Sequence, residues 1–110
     1  MKLRFLGRSA AHAETVDAWW RKYRPSAPDL FARELTEALR LLAKAPEMGV
    51  PYEPKAGLGV RRLLLQRTKY HLYYAHDRGH DILGVLAIWS SRRGRAPSLR
   101  FFKGRRERQG

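Results

Sequence analysis

The chain has 110 residues, which is room for one compact domain. Its apolar fraction of 44% is typical of a globular protein, and its longest uncharged apolar run, Ile82 to Trp89, is far shorter than the roughly 20 residues that cross a bilayer. The absence of cysteine excludes disulfides and thiolate metal sites. Because the first residues also lack the apolar stretch of a secretory signal, we expect a cytoplasmic protein without membrane contact.

The charge of the chain is unusual and unevenly distributed. Lys and Arg number 23 against 10 Asp and Glu, a formal net charge of +13, which indicates a nucleic acid or an acidic protein as partner. Over half of the excess lies after Ser91, where eight basic side chains accompany a single acid, Glu107. Periodic apolar residues are scarce after Pro97. We therefore expect residues 1–97 to form the domain and residues 98–110 to be a basic, mobile tail.

The first half of the chain predicts a strand followed by two helices. Polar and apolar residues alternate over Lys2 to Leu6, as in a short strand. Apolar residues then recur every three or four positions, which predicts a helix that is N-capped by Ser9 and closed by Pro25. The capping pattern of Ser26 to Asp29 predicts the start of a second helix, and Pro46 sets its end.

The second half predicts three strands. Residues 46–59 are rich in Pro and Gly, which indicates a surface loop without helix or strand pairing. Val60 to Gln66, Lys69 to Ala75 and Ile82 to Trp89 are rich in branched and aromatic residues, and the turn His76 to Asp81 precedes the last of them. The order β-α-α-β-β-β predicts an α+β fold in which a helical hairpin packs on one face of an antiparallel sheet.

Several segments follow one another along the chain. A leucine-rich helical segment precedes a turn with Pro and Gly, and then come a basic strand, an aromatic strand that ends in Tyr-Tyr, and an apolar strand that is followed by arginines. In this order and at this length, residues 1–97 resemble the RelE/ParE superfamily of bacterial toxins. The resemblance implies a type II toxin held inactive by a cognate antitoxin encoded beside it. The segments are Ala38 to Leu42, Pro46 to Gly49, Val60 to Leu64, Tyr70 to Tyr74, Val85 to Trp89 and Arg92 to Arg95.

The superfamily has two kinds of target. RelE-like members cut messenger RNA in the ribosomal A site, which requires a general base, a general acid and cations for the phosphorane. Nucleolytic members carry a Tyr or His-Tyr pair in the C-terminal segment, where this chain has Phe101 and Phe102. This departure favours the ParE-like activity, binding of DNA gyrase. If the protein is a nuclease, the catalytic candidates are Arg61, Arg67, His71, Tyr73 and Arg92, with Glu53, Lys55 and Tyr70 as further substitutes.

A gyrase-binding surface needs cations and apolar groups but no acid-base pair. Trp89 lies beside arginines, a composition typical of binding hot spots, although as the end of a buried strand it is also expected to be half core. A basic nucleic-acid-binding module without toxicity stays open as a third class. The target-binding candidates are Arg61, Arg62, Trp89, Arg92, Arg93 and Arg95.

The first helix offers candidates for antitoxin binding. Trp20 and Tyr23 are predicted to join Val16 on its core-facing side, and Trp19, about 100° away around the axis, lies at the edge of that side. We expect Trp19 and Tyr23 to contribute to an apolar strip where an antitoxin segment binds. The two histidines of the turn before the last strand do not converge on a hairpin loop, and the Gly and Asp residues of this turn are accounted for by turn geometry, so we expect neither a metal site nor a cofactor.

Overall fold

The computed structural model describes residues 1–52 and 59–97 together with Leu99. Within these residues the predicted two helices and their following strands are present in the expected order. The elements are β1 (Lys2–Phe5), α1 (Ser9–Tyr23), α2 (Leu30–Lys44), a 3-10 turn (Pro46–Met48), β2 (Val50–Pro51), β3 (Val60–Leu65), β4 (Tyr70–Asp77) and β5 (Ile82–Ser90).

The strands form one five-stranded sheet in the order β1-β5-β4-β3-β2, and both helices pack on the same face of it. The α+β class with a helical hairpin on a sheet is therefore confirmed. The sheet is mixed rather than wholly antiparallel, because β1 pairs with β5 in parallel, from Lys2 opposite Ile82 to Phe5 opposite Val85. Parallel neighbours need a long connection, and here the two helices and the β2-to-β4 strands supply it.

The helix-covered face of the sheet holds the larger core. Phe31 and Leu42 from α2 are buried against Leu72 of β4 and Val85 of β5, each at most 1% exposed. The first helix adds Val16 to this core, whereas α2 contributes four buried side chains. The second helix therefore supplies more buried side chains to this core than the first.

The opposite face, which we call the helix-free face, holds a smaller core. Val60, Tyr73 and Leu86 are buried there together with Leu99, which is 6% exposed. The chain beyond β5 thus returns over this face as far as Leu99. The remaining residues of the predicted mobile tail, 98 and 100–110, lie outside the described residues.

The start of α1 differs from the prediction. Arg8 occupies the position before the helix, and Ser9 is the first helical residue and fully buried. The Ser9 hydroxyl donates to the carbonyl of Val85 at 2.9 Å instead of capping the helix. The predicted cap was wrong because a strand carbonyl 76 positions away competes for the hydroxyl.

The start of α2 also differs. The helix begins at Leu30 after Asp29, and neither Ser26 nor Asp29 makes a side-chain capping bond. Backbone carbonyls of the connecting turn accept instead, since Ala27 N–H bonds Arg24 and Leu30 N–H bonds Ala27. The capping-box prediction was therefore wrong.

The segment after α2 is more ordered than a plain loop. It forms the 3-10 turn and then β2, whose two residues pair with β3, so the prediction of a segment without helix or pairing was wrong. The buried Tyr74 hydroxyl explains this order: it donates to Pro46 O at 2.6 Å and accepts from Gly49 N–H at 2.9 Å. A Cβ at Gly49 would lie 2.7 Å from that hydroxyl, so a residue without a side chain is needed there.

The observed ends of β3, β4 and β5 differ by at most two residues from the predicted ones. His76 and Asp77, expected in a turn, continue β4, and the strand pairs with β5 over its whole length. Among the described residues, no helix is long and apolar enough to cross a bilayer.

Candidate functional site

The helix-free face carries a compact group of aromatic and basic side chains. Alternation along β4 places His71 and Tyr73 on this face, as predicted, and the register sets Arg62 of β3 opposite Tyr73. The Arg62 guanidinium lies 5.4 Å from the ring centre of Tyr52, and the Tyr52 and Tyr73 rings are 4.9 Å apart. Arg62, His71 and the two tyrosines are thus brought together.

His71 is the titratable group of this face closest to neutrality. Burial lowers its pKa, and the positive charge of Arg62 lowers it further, so the imidazole is neutral at pH 7 and can accept a proton. Its ring lies 6.1 Å from that of Tyr73. Tyr73 itself is 3% exposed and packs in the core of this face, which leaves it poorly placed to reach a substrate.

The other nuclease candidates do not join His71. Arg61 points to the other side of β3 and donates to the carbonyl of Gly49 at 2.7 Å, which fixes the segment after α2. Arg67 lies in the turn between β3 and β4, against α2, where its backbone N–H donates to Glu34. Arg92 follows β5 and is exposed. Tyr70 packs on the helix-covered face, while Glu53 and Lys55 lie outside the described residues.

The end of β5 gathers most of the predicted target-binding residues. The guanidinium of Arg93 lies 4.1 Å from the ring centre of Trp89, and the indole N–H of Trp89 donates to Arg95 O at 2.9 Å. Trp89 is half-buried, and Arg92, Arg93 and Arg95 are all exposed. A stacked Trp-Arg pair beside two further exposed arginines can bind an acidic, partly apolar surface. We call Trp89 with these three arginines the exit cluster.

The predicted antitoxin residues lie on the outer part of α1. Trp19 is 39% and Tyr23 51% exposed, with their rings 5.4 Å apart. Tyr23 does not join the core as the helical pattern suggested, because α1 contacts the sheet mainly through Val16 and the half-buried Trp20. The guanidinium of Arg24 lies 4.7 Å from the Trp19 ring, so this strip is both aromatic and basic.

Residues 3–95 match the protein family described as "ParE toxin of type II toxin-antitoxin system, parDE". The match spans most of the chain. The protein belongs to this ParE toxin family. It is therefore the toxin component of a type II system, and membership of the family implies an antitoxin as partner.

Solved structures show the same fold in both branches of the superfamily. The chain is similar to a protein of the "Chromosomal ParDE TA system from P. aeruginosa", with 19% identity and a TM-score of 0.64, covering 82% of this chain and 95% of that one. It is also similar to the "isolated E. coli RelE toxin", with 15% identity and a TM-score of 0.54, covering 99% and 98% of the two chains. Among curated protein sequences, none matches.

One feature of this ParE family member is absent from the sequence-based predictions. A cavity, which we call the α1 groove, lies between α1 and the end of β5 and is lined by Arg8, His12, Trp19, Trp89 and Arg93. The signal was available in the sequence, since Arg8, His12, Thr15 and Trp19 follow one another at spacings of four, three and four, the spacing of one helical face. Of these four residues only Trp19 is apolar, so they do not form an apolar stripe.

Proposed function

We propose that this ParE family toxin inhibits growth by binding DNA gyrase, and that its antitoxin neutralises it. The observation that carries the proposal is the exit cluster, where Arg93 stacks on Trp89 and two further arginines stand exposed. Such a surface suits an acidic protein partner and requires no acid-base machinery. The family description supports the toxin role. Gyrase is the target that the resemblance to ParE-like toxins implies.

The dispersal of the nuclease candidates also supports this choice. Arg61 is engaged with backbone carbonyls, and Arg67 lies against α2 rather than beside His71. A cleavage reaction needs its base, acid and cations within hydrogen-bond reach of one phosphate. The five candidates do not meet this requirement as a set.

The proposal is tested by a supercoiling assay with purified gyrase. We expect the wild-type protein to inhibit supercoiling and Arg92→Glu/Arg93→Glu to require at least roughly tenfold more protein for the same inhibition, because two attractive contacts become repulsive. The matched control is Arg4→Glu/Arg78→Glu, which makes the same charge change at exposed positions on β1 and in the β4–β5 turn. Equal inhibition by both double variants, or none by the wild type, would contradict gyrase binding through the exit cluster.

A second candidate, ribosome-dependent cleavage of messenger RNA, is favoured by one observation, the neutral His71 beside Arg62 on the helix-free face. The same purified protein is added to a translation reaction with a defined message. Cleavage that His71→Ala abolishes would establish this activity and replace the gyrase proposal. Intact messages together with gyrase inhibition would contradict cleavage of messenger RNA as the function.

A further inference from the structure

The α1 groove has a volume of about 300 Å³ and two walls of different origin. One wall is a single face of α1 with the residue before it, and the other is the end of β5 with the residues that follow. Trp19, an expected antitoxin contact, and Trp89 with Arg93, expected target contacts, line the same groove. Two surfaces predicted separately are therefore one continuous surface.

The groove is strongly positive. Arg8 stands at one side and Arg93 at the other, and no carboxylate is found among its described lining residues. The two arginines act on the same space: after burial itself, their charges are what lower the pKa of His12 between them. With His12 neutral, its Nδ1 accepts from the Ile88 N–H at 3.2 Å, a bond that links α1 to β5. The positive charge of the groove therefore comes from the two arginines and not from His12. An occupant of this groove must carry negative charge.

The groove is also aromatic and apolar at its base. His12 meets Trp89 edge to face, with ring centres 5.7 Å apart, and Val16, Tyr70 and Ile88 contribute apolar surface. The phosphates of a nucleic acid would bind the exposed arginines alone and would make no contact with the apolar floor of the groove. Tryptophan beside arginine in a concave site is the composition of protein-binding hot spots. The occupant that matches both properties is an acidic protein segment with apolar side chains.

We infer that the α1 groove is the docking site of an acidic, partly apolar segment of the antitoxin, which covers Trp89 and Arg93 and so blocks the target from the exit cluster. Neutralisation is then direct competition for one surface. The competition part rests on the gyrase-binding function proposed above, whereas the docking part does not. Because His12 occupies the Ile88 N–H, the segment binds through side chains and not as an added strand at this position.

The docking is tested with the full-length antitoxin encoded beside this toxin, labelled with fluorescein, and the full toxin chain. We expect Arg8→Glu/Arg93→Glu to weaken antitoxin binding at least roughly tenfold and Arg4→Glu/Arg78→Glu to change it less than about twofold at equal net charge. Circular dichroism checks that all variants are folded. Equal affinities for the two double variants would overturn the proposal.

A second pair of variants tests the shape of the groove without changing Arg8 or Arg93. Thr15 is exposed on the groove wall, so Thr15→Trp fills the groove, whereas Glu14→Trp places the same bulk on the next helical position outside it. We expect only Thr15→Trp to weaken antitoxin binding. Loss of binding in Glu14→Trp alone, or in neither variant, would contradict docking in the groove.

Two further outcomes separate this proposal from others. If a single-stranded oligodeoxynucleotide displaces the antitoxin and its own binding is lost in Arg8→Glu/Arg93→Glu, the groove is a nucleic-acid site and the inference is wrong. If the antitoxin depends on Arg8 and Arg93 while the toxin leaves gyrase unaffected, the docking holds and the proposed function fails. Gyrase inhibition that persists with saturating antitoxin would refute the competition.

Discussion

The two faces of the sheet differ in what their side chains do. On the helix-covered face, strand residues such as Leu72 and Val85 are fully buried beneath the helical layer. On the helix-free face, the alternate residues of the same strands include Arg62 and His71, which remain partly exposed beside a smaller core. Because neighbouring residues of a strand point to opposite faces, one short segment supplies both stability and binding chemistry. Substitutions on the two faces should therefore separate folding from function.

The largest difference is expected for core leucines on opposite faces. Leu72→Ala on the covered face should lower the free energy of unfolding by about 3–5 kcal/mol, because a rigid layer of helix and sheet cannot close the cavity. Leu86→Ala, 3% exposed on the helix-free face, should cost about 2–3 kcal/mol, since this core is smaller and has no helix packed over it among the described residues. Urea denaturation measures both. A larger loss of unfolding free energy in Leu86→Ala than in Leu72→Ala would contradict the conclusion that the helix-covered face holds the main core.

The next effect concerns the bond that ties the covered face to the segment after α2. Tyr74→Phe should cost about 2–3 kcal/mol, because Gly49 N–H and Pro46 O lose their common partner in a buried place. Burial raises the pKa of Tyr74, so its hydroxyl stays protonated and can donate at neutral pH. The control Tyr23→Phe removes a hydroxyl from an exposed ring and should be silent in the same denaturation experiment. Equal stability of the two variants would show that the Tyr74 hydroxyl does not stabilise the segment after α2.

A smaller effect is expected where α2 meets the β3–β4 turn. The Glu34 carboxylate accepts from Arg67 N–H at 2.7 Å, from Thr68 N–H at 3.0 Å and from the Thr68 hydroxyl at 2.6 Å. Glu34→Gln keeps one oxygen as acceptor but loses the charge and the second oxygen, so it should cost about 1–2 kcal/mol. Glu37→Gln, one turn along α2, removes only an exposed pair with Arg40. If thermal denaturation finds equal losses for both, Glu34 does not hold the turn.

The smallest effect is a pH dependence at the boundary of the two faces. The pKa of His12 is lowered by burial and then by Arg8 and Arg93, so the unfolded chain binds its proton more readily than the folded one. Stability is therefore fully present above the unfolded pKa, near 6.5, and is lost as pH falls below it. Trp89, which packs edge to face against His12, has no titratable group and so adds nothing to this pH dependence.

This dependence is measured by urea denaturation between pH 7.5 and pH 5. We expect His12→Gln to reduce the loss of stability on acidification. Part of the loss will persist in His12→Gln because the pKa of His71 is lowered as well. An unchanged slope in His12→Gln would show that its lowered pKa does not contribute.

The sequence was sufficient for features that depend on local periodicity. The two helices, the three late strands and the alternation of Tyr70 to Tyr74 between faces follow from spacing alone. It was not sufficient where a distant group competes with a local one. Ser9 bonds a strand carbonyl 76 positions away, and the order of the 3-10 turn depends on Tyr74 and Arg61 from later strands.

The candidate site shows the same limit. Adjacent arginines on a strand must face opposite ways, so the separation of Arg61 from Arg62 was implied by alternation. That Arg61 is then engaged with backbone carbonyls, and that Arg93 returns onto Trp89, depend on the path of segments without regular structure. The helical spacing of Arg8, His12, Thr15 and Trp19 is visible in the sequence, but no local pattern indicates that this face of α1 lies against the end of β5.

The early end of β1 has a consequence for how copies of this protein meet. Among the described residues, no strand pairs with this edge of β5 beyond Phe5, and an unpaired strand edge is a template on which another chain can pair. Here the Val85 carbonyl accepts from the Leu6 N–H and from the Ser9 hydroxyl, and the Ile88 N–H donates to His12, so the start of α1 satisfies backbone groups that a further strand would otherwise pair with. We therefore expect edge-to-edge pairing of two copies to be disfavoured at this end of β5.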